Sequence, residues 1–197
     1  MNSGSVRVAA IVAAAGESRR FGSPKMLAPF RGEPLLRATV RNVTKAGLDE
    51  VIVVLGPDAS AVQDALNDLP VRITINPDPS QGLGSSIAAG VRAAASAEAV
   101  IVVLGDQPTL DAAVVRGLYD AWLRTGAAIV LPEYRGQRAP PVLFSRRVFP
   151  ELLKLEGEAG GREVVSRDPA RVHAVHLDQD VPADVDTPGD LAALSEE

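Results

Sequence analysis

Short apolar runs recur along this chain of 197 residues, and stretches long enough for a helix separate them. The runs are rich in β-branched residues and nearly continuous in hydrophobicity, which is typical of strands buried on both faces of a parallel sheet. Such alternation requires right-handed crossovers and predicts an α/β fold, a three-layer α/β/α sandwich with a mostly parallel central sheet. The predicted strands are 6–13, 50–55, 71–75, 99–104 and 127–131, and the predicted helices are 35–46, 59–69, 85–95 and 111–125.

After Pro132 the alternation gives way to a turn-rich sequence. It contains a candidate strand at 141–145, a strand at 172–177 and a last helix from about Pro188. Asp58 and Asp111 stand where helix N-caps are expected. The whole chain, 1–197, is expected to form one domain, in which the last third completes the sheet and the pocket.

Composition restricts the chemistry that the chain can perform. It has no Cys and only two His, which excludes disulfides, thiolate metal sites and a Cys nucleophile. The net charge of -5 argues against broad binding to nucleic acid or to anionic membranes. No apolar run approaches the ~20 residues of a membrane span, and the N-terminal run lacks a basic leader. We therefore expect a cytoplasmic protein with no nucleic-acid or membrane partner.

Loops rich in glycine and charge follow three of the predicted strands. They are AAAGESRRFGSPK at residues 13–25, NPDPSQGLGSS at 76–86 and GDQP at 105–108. In an open α/β sheet, ligands bind beyond the carboxyl ends of the strands. We therefore expect the three loops to converge on one edge of the sheet and to form a single site there.

The first of these loops combines small residues with cations. Gly16 and Gly22 can offer backbone N–H groups to phosphate oxygens, and Arg19, Arg20 and Lys25 can add charge-assisted hydrogen bonds. The spacing matches neither a Walker A motif nor the G-x-G-x-x-G turn of dinucleotide-binding folds. The loop is therefore either a phosphate site of another type or a strand-to-helix turn with solvated cations.

Two acidic residues are candidates for a metal site. Asp106 directly follows a buried strand, where a carboxylate can hold Mg²⁺ together with substrate phosphates or can simply form a turn. Asp186 precedes Thr187-Pro188, so it is either the N-cap of the last helix or a second carboxylate facing Asp106. Asp190 is expected to lie on the solvated surface.

Two further loops have residues suited to binding anions. Gly84 leads into a helix predicted to begin near Ser85, whose first N–H groups could receive an anion or a base carbonyl. The serines at 85 and 86 could instead be simple caps. The segment GEAGGR at 157–162 offers a glycine backbone and Arg162 to a second phosphate, or it forms a flexible surface turn.

Taken in order, the motifs are more specific than any one of them alone. The series AAG-x-S-x-R-F-G-x-x-K, QG-x-x-SSI, LGDQP, PVLF, G-x-x-GGR and D-x-DTP-x-DL resembles the molybdenum cofactor cytidylyltransferase family. That family belongs to the MobA-like nucleotidyltransferase superfamily with a Rossmann-like fold. The resemblance covers about residues 8–191. It implies a Mg²⁺-dependent nucleotidyltransferase that moves CMP from CTP to the terminal phosphate of the molybdopterin cofactor and releases pyrophosphate.

The resemblance also implies a division of labour along the chain. Residues 1–132 would bind the nucleotide, and residues 133–197 would bind the acceptor and complete the sheet. A molybdoenzyme or its maturation chaperone is the partner that this function implies. The residues implied as nucleotide-binding are Ala14, Ala15, Gly16, Arg20, Lys25, Gly84 and Ser85. The residues implied as catalytic are Lys25, Arg20 and Asp106. The residues implied as metal ligands are Asp106 and Asp186. The residue implied as acceptor-binding is Arg162.

Two positions bear on which substrates are used. Ala15 and Phe21 follow the pattern of cytidylyl rather than guanylyl members, which favours CTP over GTP. Ala139-Pro140 stands where relatives usually carry Gly-His or Gly-Asn before Pro-Val, which leaves the identity of the acceptor open. A guanylyltransferase, a sugar-phosphate nucleotidylyltransferase and a non-catalytic binder of the molybdenum cofactor are the alternatives.

Overall fold

A mixed β-sheet divides the molecule into layers in the computed structural model, which describes residues 7–16, 21–22 and 24–196. Within those residues eight strands form the main sheet, in the order β10-β7-β9-β6-β1-β4-β5 with β8 alongside β7, and β2 and β3 form a separate small hairpin. The strands are β1 (Val8–Ala13), β2 (Pro29–Phe30), β3 (Glu33–Pro34), β4 (Glu50–Leu55), β5 (Arg72–Ile75), β6 (Ala99–Leu104), β7 (Ile129–Tyr134), β8 (Gln137–Arg138), β9 (Val142–Ser145) and β10 (Val172–Leu177).

Most pairings in the sheet are parallel. β1 pairs in parallel with β4 and β6, β4 with β5, and β7 with β10. The antiparallel pairings are made by β8 and β9: the two-residue strand β8 pairs with β7, and β9 runs antiparallel to both β6 and β7 and lies between them. The predicted parallel core is thus confirmed, and the turn-rich last third adds one antiparallel strand inside the sheet rather than at its edge.

Helices cover both faces of the sheet. Alternate residues of β1 explain this arrangement, since Ala10 and Val12 pack into one hydrophobic cluster and Ala9 and Ile11 into the other. The helices are α1 (Leu35–Thr44), α2 (Ser60–Asp64), α3 (Leu83–Ala93), α4 (Ala112–Thr125), α5 (Phe149–Leu152), α6 (Gly161–Arg167) and α7 (Pro188–Glu196). Helices α1, α4 and α7 supply side chains to the first cluster, and α3, α5 and α6 to the second. The predicted three-layer α/β/α sandwich is confirmed.

Helix α3 lies unusually close to the central strand. A methyl group built on Gly90 would be 2.3 Å from the Cγ2 atom of Ile11, so only glycine permits this approach. The contact fixes the position of the N-terminal end of α3 beside the end of β1. No helix among the described residues is long and apolar enough to cross a membrane.

The helix predicted at 59–69 is wrong in its length. Only Ser60–Asp64 is α-helical, and the following residues form successive turns closed by bonds such as Leu66 N–H to Gln63 O and Leu69 N–H to Leu66 O. Ala59 rather than Asp58 occupies its N-cap, without a side-chain hydrogen bond. The N-cap prediction at Asp111 is confirmed, since its carboxylate accepts the Ala113 N–H at 2.8 Å.

Candidate active site

A cleft of about 1000 Å³ opens at the carboxyl edge of the sheet. The predicted convergence is confirmed, because residues that follow β1, β5 and β6 all line this one cleft. They include Gly16 after β1, Ser80 and Gly82 after β5, and Asp106 after β6. The remaining wall comes from the last third of the chain, including Arg162 and Asp186.

An ion-pair cluster lies at the centre of the cleft. The Lys25 Nζ atom is 2.8 Å from Asp106 Oδ2 and 3.4 Å from Asp186 Oδ1. Lys25 is only 8% exposed although it carries a charge. Because a charged group is rarely buried unless it is paired, the two carboxylates are what allow the ammonium to lie here. The structure therefore brings together three of the predicted site residues, which lie far apart in the sequence.

Local backbone bonds hold Lys25 and Asp106 in place. Lys25 begins a 3₁₀ turn, Lys25–Leu27, in which the Leu27 N–H donates to Pro24 O and the following Ala28 N–H donates to Lys25 O, both at 3.0 Å. Asp106 follows Gly105, whose N–H donates to Ala13 O at 2.9 Å. A methyl group on Gly105 would be 2.9 Å from the Ala14 Cβ, so the end of β6 and the end of β1 need small residues to meet.

Asp186 is oriented by the start of the last helix. The Val185 N–H donates to Asp106 O at 3.0 Å, which joins the two acidic segments directly. The Asp190 carboxylate accepts the N–H groups of Asp186 and Thr187, and the Asp190 N–H donates to Thr187 Oγ1 at 3.2 Å. This reciprocal pair is a capping box with Thr187 as N-cap, so the capping interpretation of Asp186 is wrong. Asp190 is exposed as predicted, but it has this structural role as well.

A third carboxylate, Asp184, and the neighbouring Gln107 belong to the same cluster. Gln107 Nε2 donates to Asp184 Oδ1 at 2.8 Å. Partial desolvation raises the pKa of Asp184, and repulsion from Asp106 and Asp186 adds to this, while the Gln107 hydrogen bond and the Lys25 charge act in the opposite direction. Neither residue is among the site residues predicted from the sequence. The spacing Asp-x-Asp at 184–186 and the position of Gln107 beside Asp106 were the available signals.

The acidic cluster has a donor set that fits a divalent cation. Asp106 Oδ1 is buried and has no hydrogen-bond partner among the described residues. Among the described residues, no group of three or more acidic or histidine side chains is arranged to hold a metal, so only two carboxylates are counted here as ligands. Magnesium is typically held by one or two carboxylates together with substrate phosphates, which is what Asp106 and Asp186 could provide.

Several described residues of the first loop line the cleft. Ala15 and Gly16 are lining residues, and no atom lies within 4 Å of a methyl group built on Gly16. Ala14 is buried, with its N–H bonded to Val54 O at 2.9 Å and its Cβ beside Gly105. Arg20, predicted to bind the triphosphate, lies outside the described residues.

The start of α3 is joined to the segment before α6 by an exchange of backbone bonds. Gly157 N–H donates to Gln81 O at 2.8 Å, and Gly84 N–H donates to Gly157 O at 2.9 Å. A methyl group on Gly84 would be 2.8 Å from Glu156 N. The Ser85 hydroxyl bonds to Gly82 O at 2.8 Å and accepts from Asn76 at 2.8 Å. The structure thus places Gly84 and Ser85 at a packing junction.

The residues of this region that line the cleft are different from those implied by the resemblance. Gly82 precedes α3 with a φ of 83°, a left-handed value that suits glycine, and it lies on the cleft wall. Leu83 and Ser86 lie on the same wall. The helix begins two residues earlier than predicted, and Ser86 rather than Ser85 lines the cleft.

The far half of the cleft has an apolar floor and a cationic rim. Arg162 lies there as predicted, together with Arg138, Ala139 and Pro140. Arg138 had no signal in the sequence, because only the β7–β8 pairing brings it to the cleft. The side chains that line the apolar part come from β6, β7, β9 and α6: Val102, Leu131, Val142, Phe144 and Val165.

Comparison with known proteins identifies a family that the chain matches. Residues 10–174 match the family described as MobA-like NTP transferase domain. Nicotine blue oxidoreductase of Paenarthrobacter nicotinovorans is 34% identical over 188 residues, which cover 91% of this chain and 92% of that protein. Molybdenum cofactor cytidylyltransferase of Escherichia coli (strain K12) is 28% identical over 188 residues, 94% of each chain. Rv0371c of Mycobacterium tuberculosis H37Rv, crystallised as a complex with manganese, superposes with a TM-score of 0.82 at 31% identity and covers 98% of this chain and 99% of that one.

Proposed function

Because this chain belongs to the MobA-like NTP transferase family, we propose that it transfers CMP from CTP to the terminal phosphate of the molybdopterin cofactor. Membership of this family supports nucleotidyl transfer in general. The choice of CTP as donor and of molybdopterin as acceptor is supported by the cytidylyl pattern at Ala15 and Phe21 and by the similarity to the Escherichia coli cytidylyltransferase. The observation that carries the proposal is the buried cluster of Lys25, Asp106 and Asp186 in the cleft.

The reaction needs positioning and charge neutralisation rather than a proton acceptor. An anionic oxygen of the acceptor phosphate forms a bond to the α-phosphorus of CTP, and the bond from that phosphorus to the bridging β-oxygen breaks. Pyrophosphate leaves with the bonding electrons. Since the nucleophile is already ionised, the chain has to align it and to stabilise the negative charge that accumulates on the phosphates.

The residues of the cluster are suited to that work. Asp106 and Asp186 would hold Mg²⁺, which when bound supplies positive charge to the phosphate oxygens. Lys25 would place its ammonium at the α-phosphate, and Arg20 would bind the departing pyrophosphate. Residues 1–132 would thus bind the nucleotide, while Asp186 in the last third completes the site from the acceptor side.

The far half of the cleft supports an acceptor with a flat ring system. Its wall includes partly exposed aliphatic side chains such as Val142 and Val165, which pack against a fused heterocycle better than against a polyhydroxylated sugar. Arg138 and Arg162 on the same wall can bind the phosphate of such an acceptor. A molybdoenzyme or its maturation chaperone is the proposed recipient of the product.

A pyrophosphate-release panel tests the proposal. CTP, GTP, ATP and UTP are combined with Mg²⁺ and with either the molybdopterin cofactor or common sugar 1-phosphates. We expect release with CTP and the molybdopterin cofactor only. Release with GTP would assign a guanylyltransferase, and release with a sugar 1-phosphate would assign a different acceptor. Stable association of the cofactor without release from any pair would contradict a transferase and identify a binder.

A further inference from the structure

The Lys25 ammonium lies where a metal ion would be expected to bind. Its Nζ atom contacts one oxygen of Asp106 at 2.8 Å and one oxygen of Asp186 at 3.4 Å. The side chain is 10% exposed, compared with 20% for Asp106 and 41% for Asp186. Lys25 is therefore the most enclosed member of the cluster and faces both proposed metal ligands at once.

Charge balance explains why a cation is needed at this position. Asp106 and Asp186 both contribute carboxylates to the cluster, and one oxygen of each lies near the same ammonium, at 2.8 and 3.4 Å. Like charges this close oppose each other more strongly in a partly enclosed site than in water. The single ammonium offsets part of that repulsion and holds Asp106 beside Asp186.

We propose that Lys25 is the built-in counter-ion of the metal site and that it competes with the divalent cation for Asp106 and Asp186. The inference rests on the metal assignment made under the proposed function. An ammonium on Asp106 Oδ2 and a metal on the same carboxylate repel each other, so metal alone binds weakly. When a triphosphate enters, its oxygens give the ammonium another partner, and the carboxylates become available to the metal. Metal and nucleotide therefore bind cooperatively, and the coupling is reciprocal.

The test measures binding of Mn²⁺ alone, without nucleotide or turnover. Free Mn²⁺ is followed by its electron paramagnetic resonance signal as it is titrated into wild-type protein and into Lys25→Met. Removing the competing ammonium should tighten Mn²⁺ binding about tenfold or more, within the usual range of such couplings. Lys45→Met, the same change at an exposed lysine, should leave Mn²⁺ binding unchanged. The double variant Lys25→Met with Asp106→Asn should lose the tight binding.

Thermal unfolding keeps the test informative if Lys25→Met is poorly stable. Without the ammonium the carboxylates repel, so this variant should melt below wild type, and Mn²⁺ should raise its Tm more than that of wild type. Lys25→Arg, which keeps the positive charge, should bind Mn²⁺ as weakly as wild type. CTP without acceptor should increase Mn²⁺ bound to wild type beyond the amount bound to Asp106→Asn.

Each result bears on a different part of the inference. Equal Mn²⁺ affinity of wild type and Lys25→Met overturns the counter-ion role but leaves the metal site in place. Absence of Mn²⁺ binding to every variant, with and without CTP, overturns the metal assignment and with it the proposed function. Tighter binding by Lys25→Met alongside a pyrophosphate panel without release supports the counter-ion role and contradicts only the transferase activity.

Discussion

At the scale of single residues, the Gln107 side chain orients the Asp184 carboxylate, which lies beside two other carboxylates, Asp106 and Asp186. Gln107 is 1% exposed, and its amide nitrogen is bonded to Asp184 at 2.8 Å. Its carbonyl oxygen, Oε1, is buried without a partner in the described part of the chain. A buried amide with one unsatisfied atom costs stability, so this side chain is more suited to orienting Asp184 than to strengthening the fold.

The raised pKa of Asp184 has a consequence for stability that depends on pH. A carboxyl whose pKa is higher in the folded chain stabilises the fold most at pH values below the unfolded pKa of about 4, and this contribution is lost as pH rises through the folded pKa. Ionised Asp184 therefore opposes folding at neutral pH. Asp184→Asn stays neutral and keeps an oxygen for the Gln107 amide.

We expect Asp184→Asn to raise the Tm slightly at pH 7.5, because it removes the repulsion from the neighbouring carboxylates, and solvent screening at this exposed position keeps the gain small. The gain should shrink as the pH is lowered toward 4, because wild-type Asp184 then becomes neutral as well. Thermal unfolding followed by circular dichroism measures both. Asp64→Asn, an exposed carboxylate at the end of α2, controls for the loss of one negative charge. A gain that is the same at both pH values would contradict the prediction.

At the scale of secondary-structure elements, the contact between α3 and β1 distinguishes two glycines in helices. Gly90 meets Ile11 so closely that an added methyl group would be 2.3 Å from its Cγ2 atom, whereas no atom lies within 4 Å of a methyl group on Gly117 in α4. Ile11 is fully buried and β-branched, so it cannot move aside easily.

Alanine substitutions at these two glycines should therefore have opposite effects. Gly90→Ala should lower the free energy of unfolding by about 1–3 kcal/mol, because it overpacks the core. Gly117→Ala should raise it by up to about 1 kcal/mol, because alanine has the higher helix propensity. Urea denaturation of the two variants gives the measurement. A stabilised Gly90→Ala would mean that α3 can move away from the sheet.

The capping box before α7 is a second feature at this scale. Asp190 accepts the N–H groups of Asp186 and Thr187, and Asp186 contacts Lys25. Asp190→Ala should cost about 1 kcal/mol of stability, a usual value for a lost cap, and should also weaken Mn²⁺ binding in the presence of CTP. Asp120→Ala, which removes only an exposed pair with Arg116 within α4, is the matched control. Unchanged Mn²⁺ binding by Asp190→Ala would show that Asp186 is oriented without the cap.

At the scale of the whole molecule, the proposed function divides the cleft into a half for the nucleotide and a half for the acceptor. Arg162 lies in the acceptor half, and its pairing with the acceptor phosphate is part of the proposed function. Arg162→Met should raise the KM for the molybdopterin acceptor about tenfold or more and leave the KM for CTP within about twofold. Arg147→Met, outside the cleft, should change neither. An equal effect on both KM values would show that the two halves do not bind their substrates separately.

Much of this architecture could be predicted from the sequence, because strands buried on both faces are visible as continuous apolar runs. The position of β9 could not be predicted. It is four residues long and enters the sheet antiparallel between β6 and β7, and short antiparallel strands carry no signal of their neighbours. The helix at 59–69 was wrong because its apolar spacing is also compatible with a short helix followed by turns.

The candidate site was predictable to a different extent. Glycines, cations and acidic residues after strands pointed to the correct edge of the sheet, and Lys25, Asp106 and Asp186 do come together there. Whether Asp186 caps the helix could not be decided locally, since an aspartate before Thr-Pro suits both roles. The answer depended on Thr187, whose hydroxyl accepts the Asp190 N–H as an N-cap does, while the Asp190 carboxylate accepts the N–H groups of Asp186 and Thr187.

The backbone exchange between Gln81, Gly84 and Gly157 limits how substrate preference could be redesigned in this protein. The two loops that it joins line the cleft from opposite parts of the chain, and each is shaped by the other's main chain. A chimera that imports only the segment before α6 from a relative would place foreign backbone against Gly82 and Gly84, where added atoms have no room. Loop grafting on this scaffold should therefore transplant the two segments together, from the same relative.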